Sequence, residues 1–151
     1  MIRDDIKAAT ITAMKSGNKE EVGTLRLVSA AIKNRDIEAR TGGAPKDDDA
    51  LVTEVLQKMI KQRRESADVY RRGNREDRAA AEEAEINVIK RFLPQQLSDE
   101  EAQAKVREII AETDASSMKD MGKVMALVKE RLGTSIDPAR ASGLVRAALS
   151  T

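Results

Sequence analysis

The stretch MKDMGKVMALVKERLGTSIDPARASGLVRAAL, residues 118–149, reads as two short helices separated by a turn. Met118, Met121, Val124, Met125, Val128 and Leu132 recur at three- and four-residue spacing, the period of a helix with one apolar face. Gly133 ends that run, and Asp137-Pro138 supplies a capping acid followed by proline at the first helical position. Leu144, Val145, Ala148 and Leu149 then face inward from a second helix. Ser117, with Asp120 three residues on, caps the first of the pair. The Met row at 118, 121 and 125 shares its spacing with the valines and so belongs to a core rather than an open groove. Gly122 and Gly143 stand inside these helices, where glycine costs about 1 kcal/mol relative to alanine. Close approach of another backbone would offset that cost, from either a neighbouring helix or an RNA strand.

Upstream, the same period recurs. Ile2, Ile6, Ala9 and Ala13, extended by Met14, make a first helix that Ser16-Gly17-Asn18 stops. Asn18 with Glu21 opens a second, carrying Val22, Leu25, Val28 and Ile32 to about Arg40. Thr41 to Pro45 is a loop, and Asp47 to Asp49 supply cap and dipole charge for a third helix built on Leu51, Val52, Val55, Leu56, Met59 and Ile60. Its basic second half places Lys61, Arg64 and Arg71 outside and Ala67 and Tyr70 inside. Gly73-Asn74 closes it; Asn74 with Asp77 starts a fourth helix, Ala79 to Leu93, which Pro94 breaks. Pro94 to Leu97 is a short polar boundary, after which Ser98 and Glu101 form a capping box for a fifth helix with Val106, Ile109 and Ile110 inside. The expected fold is all-α: an N-terminal domain, 1–95, of about four helices with two of them long, and a small C-terminal three-helix domain, 96–151.

Composition narrows the chemistry. The 151 residues hold no Cys and no His, which removes disulfides, thiolate nucleophiles, imidazole bases and most zinc sites. The clustered acids at 47–49 and at Glu82, Glu83 and Glu85 read as solvated or dipole-complementing charges, and no phosphate-cradling glycine motif occurs. Nothing nominates an active centre, so the expectation is a chain that is not an enzyme and carries no metal and no cofactor. With no secretory leader and no apolar run of membrane-spanning length, a cytoplasmic protein with no membrane association is expected. Charge is uneven: residues 58–78 hold eight basic against four acidic side chains, and residues 115–151 six against three. A polyanion would find two basic regions here. Only Tyr70 and Phe92 are aromatic, so base-stacking platforms are missing and an RNA would be read through phosphate and shape.

At Asp120-Met121-Gly122-Lys123-Val124-Met125 and Ser142-Gly143-Leu144-Val145-Arg146 the chain resembles the YqeY-like family, whose domain is shared with the tail of the B subunit of the tRNA-dependent amidotransferase. Thr24-Leu25-Arg26, the basic helix from Lys61 to Arg72 and Leu93-Pro94-Gln95-Gln96-Leu97-Ser98 extend the resemblance over the whole length. It implies a two-part helical fold whose C-terminal part matches a tail that contacts tRNA, while ammonia production and transamidation occur elsewhere in that complex. The tail-matching positions are Lys119, Gly122, Lys123, Gly143 and Arg146; Lys129, Arg131 and Arg140 join them on charge alone. The B subunit's kinase-like cradle has no counterpart, so carbon–nitrogen ligase activity with glutamine as amido-N-donor would belong only to a larger complex. The implied function is a non-catalytic tRNA-binding or tRNA-amidotransferase-related accessory protein, whose expected partners are tRNA and a tRNA-modifying or aminoacylation enzyme. The alternative is a helical adaptor that binds protein and no RNA.

Overall fold

In the computed structural model, residues 1–150 are described and form seven α-helices, with no strand among the described residues. They are α1 (Ile2–Lys15), α2 (Lys19–Ala39), α3 (Asp48–Arg72), α4 (Glu76–Lys90), α5 (Asp99–Thr113), α6 (Met121–Leu132) and α7 (Pro138–Leu149). Two compact units result, Met1–Leu93 and a second from Pro94 onward. Among the described residues no helix is long and apolar enough to cross a membrane.

The first unit packs α1 to α4 around Ile6, Leu25, Val28, Val52, Leu56 and Ile89. Asn18 accepts the Glu21 N–H at 3.2 Å and so starts α2 as its side chain dictates. The acids before α3 do something else. Asp47 makes no side-chain cap; Asp49 accepts the backbone N–H of Ile2 at 2.9 Å, and Arg3 bridges Asp36 of α2 and Asp48 at 2.8 and 2.9 Å. These carboxylates fasten the start of α1 to α2 and α3. The Arg3 guanidinium, hydrogen-bonded to Asp36, holds that carboxyl below the usual carboxylate range.

Three local expectations are corrected. Met14 does not extend the α1 core stripe: it is 51% exposed, because the 100° step carries it away from Ile6 and Ala13. The fourth helix runs three residues earlier than its expected bounds, at both ends. Asn74 takes the left-handed conformation at φ +58°, and Asp77 pairs with Arg75 at 3.3 Å instead of capping with Asn74. Its first turn, with Glu76 and Asp77, suits the helix dipole, while Pro94 bars Leu93 from helical geometry. Finally, the acids of α4 are not merely solvated. Glu85 pairs with Arg63 at 2.8 Å, and Glu83 with Arg71 at 2.7 Å, which stitches α4 to the basic half of α3.

The second unit packs α5, α6 and α7 around Val106, Ile109, Val124, Val128 and Val145. Ser98 and Glu101 form the capping box at the start of α5, and the bonds from Ser98 lower the Glu101 pKa. Pro94 to Leu97 is polar but not free. Gln96 donates to the carbonyls of Pro94 and Thr134, both at 2.8 Å, and Leu97 N–H donates to Ser135 O at 2.8 Å. This segment therefore braces the α6–α7 turn, where Gly133 sits at φ +51°, a conformation that favours glycine.

Candidate nucleic-acid interface

The start of α6 and the end of α7 meet where the Ser150 hydroxyl lies 3.8 Å from the Met118 sulfur. A single 3₁₀ turn, Met118–Asp120, leads into α6. Met118 itself is 43% exposed, against the core placement expected of it, because this turn breaks the helical phase one residue before Met121. Met121 and Met125 are half-buried against the core and Val124 and Val128 fully buried, so the remainder of the stripe packs inward.

Lys119, Gly122 and Lys123 lie at this end of α6, with Arg146 in the last turn of α7, and all four are exposed. The first turn of α6 contains no acidic residue. Asp120, just before it, turns its carboxylate back to the N–H groups of Ser116 and Ser117, at 3.0 and 3.4 Å. Cations at a helix start oppose the helix dipole, so Lys119 and Lys123 contribute nothing to the stability of α6 there. They do add positive charge at the end of α6 where the helix dipole is itself positive, a combination that favours anions such as phosphate, although the Met121 N–H there already donates to Met118 O.

Gly122 and Gly143 are both exposed, and a Cβ added at either would meet nothing within 4 Å. The neighbouring-helix explanation for them is thereby corrected: among the described residues no neighbouring helix occupies the space that a Cβ at either position would take. Helical phase puts Gly122, Ala126 and Lys129 on one exposed stripe of α6, and Ala139, Gly143 and Arg146 on one of α7. The two helices pack together, so the unit presents small residues and bare backbone with cations alongside.

The structure brings only part of the expected set together in this way. Among the described residues Lys119, Lys123, Lys129 and Arg146 have no ion-pair partner. Arg131 pairs with Glu112 of α5. Arg140 is half-buried and donates to Leu97 O at 3.0 Å and to Asp99, tying α7 to the start of α5. Its role is structural. The spacing Asp99 to Arg140 carries no sequence signal, because the contact forms only when α5 and α7 pack side by side.

The other basic region is committed within its own unit at three of its eight basic side chains. Arg63, Arg71 and Arg75 pair with Glu85, Glu83 and Asp77 respectively, and Arg71 also with Glu76. A groove of about 520 Å³ between α5 and α7 is lined by Val106, Ile110 and Leu144, with Gln103 and Arg107 as its only polar side chains. It offers no acid–base pair. Among the described residues no group of His, Cys, Asp or Glu is placed to hold a metal ion.

A model of the YqeY-like protein family matches residues 3–149 of this fold. The chain belongs to the YqeY-like family. It is similar to proteins named "Altered inheritance of mitochondria protein 41, mitochondrial" from three yeasts. The one from Meyerozyma guilliermondii is 36% identical over 126 residues, covering 81% of this chain and 64% of the relative. That from Clavispora lusitaniae is 31% identical, with 82% and 71% covered. That from Lachancea thermotolerans is 32% identical, with 76% and 54% covered. The YqeY-like chain thus spans between about half and seven tenths of the length of these relatives. Their names overturn the cytoplasmic expectation: these relatives are mitochondrial proteins. The expectation rested on the lack of a secretory leader and of a membrane span, which separates secreted and membrane chains from the rest and does not discriminate among organelles.

Proposed function

We propose that this YqeY-like chain is a non-catalytic accessory protein that contacts folded tRNA through the α6–α7 face of its C-terminal unit. One observation carries the reading: two exposed helical glycines, each costly to its helix and with open space where a Cβ would stand, lie beside cations that have no ion-pair partner among the described residues. Glycine allows a phosphate backbone to approach the helix surface, and Lys119, Lys123 and Arg146 supply the charge that a phosphodiester needs. Aromatic stacking plays no part, so the contact reads shape and backbone rather than base identity. The resemblance of this unit to the amidotransferase tail supplies tRNA as the RNA. Amide transfer would then be chemistry of a larger complex or of a tRNA-modifying or aminoacylation enzyme that this chain serves. Replacing Lys119 and Lys123 by Glu tests the reading: tRNA affinity in a mobility-shift titration is expected to fall and its salt dependence to flatten, and an unchanged titration would remove the site.

A further inference from the structure

The outer face of α2 has no use in either the fold or the RNA reading. Its inner face, Val22, Leu25, Val28 and Ile32, fills the core of the first unit. A second set of residues, Gly23, Leu27, Ala30, Asn34 and Ile37, recurs at spacings of four and three on the opposite side. All five are exposed, Leu27 at 51% and Ile37 at 52%, and the space over Gly23 is open. A helix that is apolar on two faces calls for a second partner.

The alternation of four and three is the heptad seam of a coiled coil. Leu27 and Asn34 take the a positions, and Gly23, Ala30 and Ile37 the d positions. The flanking g positions are Lys19, Arg26 and Lys33; the e position following Asn34 is Glu38. We propose that this face pairs with the same face of a second copy of the chain, as a short parallel seam along α2.

Two features select a second copy in that orientation. In a parallel pair Asn34 meets Asn34 of the other copy, and an asparagine at an a position sets register and two-strandedness by bonding to its twin. Lys33 at g then faces Glu38 of the other copy at e, twice by symmetry. Among the described residues of one chain Glu38 is held by Arg35 alone, at 3.9 Å, and can turn outward, while Lys33 has no ion-pair partner. An antiparallel pair would instead set the basic g flanks, Lys19, Arg26 and Lys33, against each other. A membrane fits the face poorly: it has no aromatic anchor, only two large apolar side chains, and acid on one flank. Gly23 and Ala30 make dents rather than protrusions, which suit close helix packing.

With only Leu27 and Ile37 as large contacts, the dimer is weak. Sedimentation equilibrium of the full chain over roughly 10 µM to 1 mM is expected to show the mass rising from 16.6 kDa towards twice that value. Lys33→Glu and Glu38→Lys each turn two attractive contacts into repulsive ones and raise the dissociation constant on the order of fivefold to tenfold. The double swap restores it. The chain has no cysteine, so single ones report register: Leu27→Cys and Asn34→Cys both cross-link to their twins on mild oxidation, while Ser29→Cys, exposed but outside the seam, does not. All these positions are solvent-exposed, and far-UV circular dichroism checks that each variant keeps its helices. A mass of one chain across the range overturns the pairing, as does a double swap that fails to rescue or a Ser29→Cys variant that cross-links as fast as the others. Monomers that float with phosphatidylserine vesicles would make this a membrane face and overturn it equally.

Discussion

Adding side-chain atoms at Gly143 is expected to strengthen the protein and weaken its grip on RNA. Gly143 lies in the interior of α7 with open space where a Cβ would stand. Alanine there removes the excess backbone freedom of glycine in the unfolded chain and meets no neighbour in the folded one, which stabilises by about 1 kcal/mol. For a unit of this size that raises the thermal midpoint by about 4–8 °C. Gly122, in the first turn of α6, responds in the same direction by less, because the helix ladder is incomplete there. Leucine at position 143 also has room in the fold, but its branched side chain stands where a phosphate backbone would approach. Its expected effect is a loss of at least about tenfold in tRNA affinity, or 1.4 kcal/mol. Thermal denaturation by circular dichroism and a tRNA mobility-shift titration read the two effects on the same preparations. A midpoint that falls on Gly143→Ala refutes the open-space reasoning. A Gly143→Leu protein that is stable and binds tRNA as before refutes the idea that the glycines serve close approach.

Other substitutions separate structural from binding roles. Arg140→Ala removes the bonds to Leu97 and Asp99 and is expected to cost about 1–2 kcal/mol in urea unfolding, with tRNA affinity of the folded protein unchanged. Gln57 is buried in α3 and its Nε2 has no hydrogen-bond partner among the described residues, so Gln57→Met, which keeps the volume and removes that donor, is expected to stabilise by about 1 kcal/mol in the same assay. Asp36 has its pKa lowered by Arg3, so its contribution is fully present above the unfolded carboxylate value of about 4 and is lost as pH falls through the lower folded value. An Arg3→Met chain therefore shows a flatter acid limb when stability is followed by urea titration from neutral pH downward.

Helical periodicity and capping chemistry made most of the architecture legible. Asn18 with Glu21 and Ser98 with Glu101 are local rules acting within four residues, and the structure obeys them. What escaped reading was long-range. Asp48 and Asp49 look like dipole charges for α3, yet they bind Arg3 and the Ile2 N–H across more than forty residues, a use that exists only once α1 lies beside α3. Glu83 and Glu85 likewise resemble solvent charges until α3 and α4 pair. Thr53 and Gln57 are buried polar residues on an apolar helix face, and nothing in the heptad around them announces it. In the C-terminal unit, the spacing identified Gly122 and Gly143 as anomalies, but only the empty space above them distinguishes a face turned outward from a helix–helix contact. The charge of Arg140 could be read, but its attachment to α5 could not.

The most direct measurement is a tRNA titration of the full chain at two salt concentrations, beside the Lys119→Glu/Lys123→Glu double variant. The expected result is binding that weakens steeply with salt, and a double variant that binds more weakly with a salt slope shallower by roughly two. Equal affinity and equal slope for the two proteins would contradict the placement of RNA on the α6–α7 face.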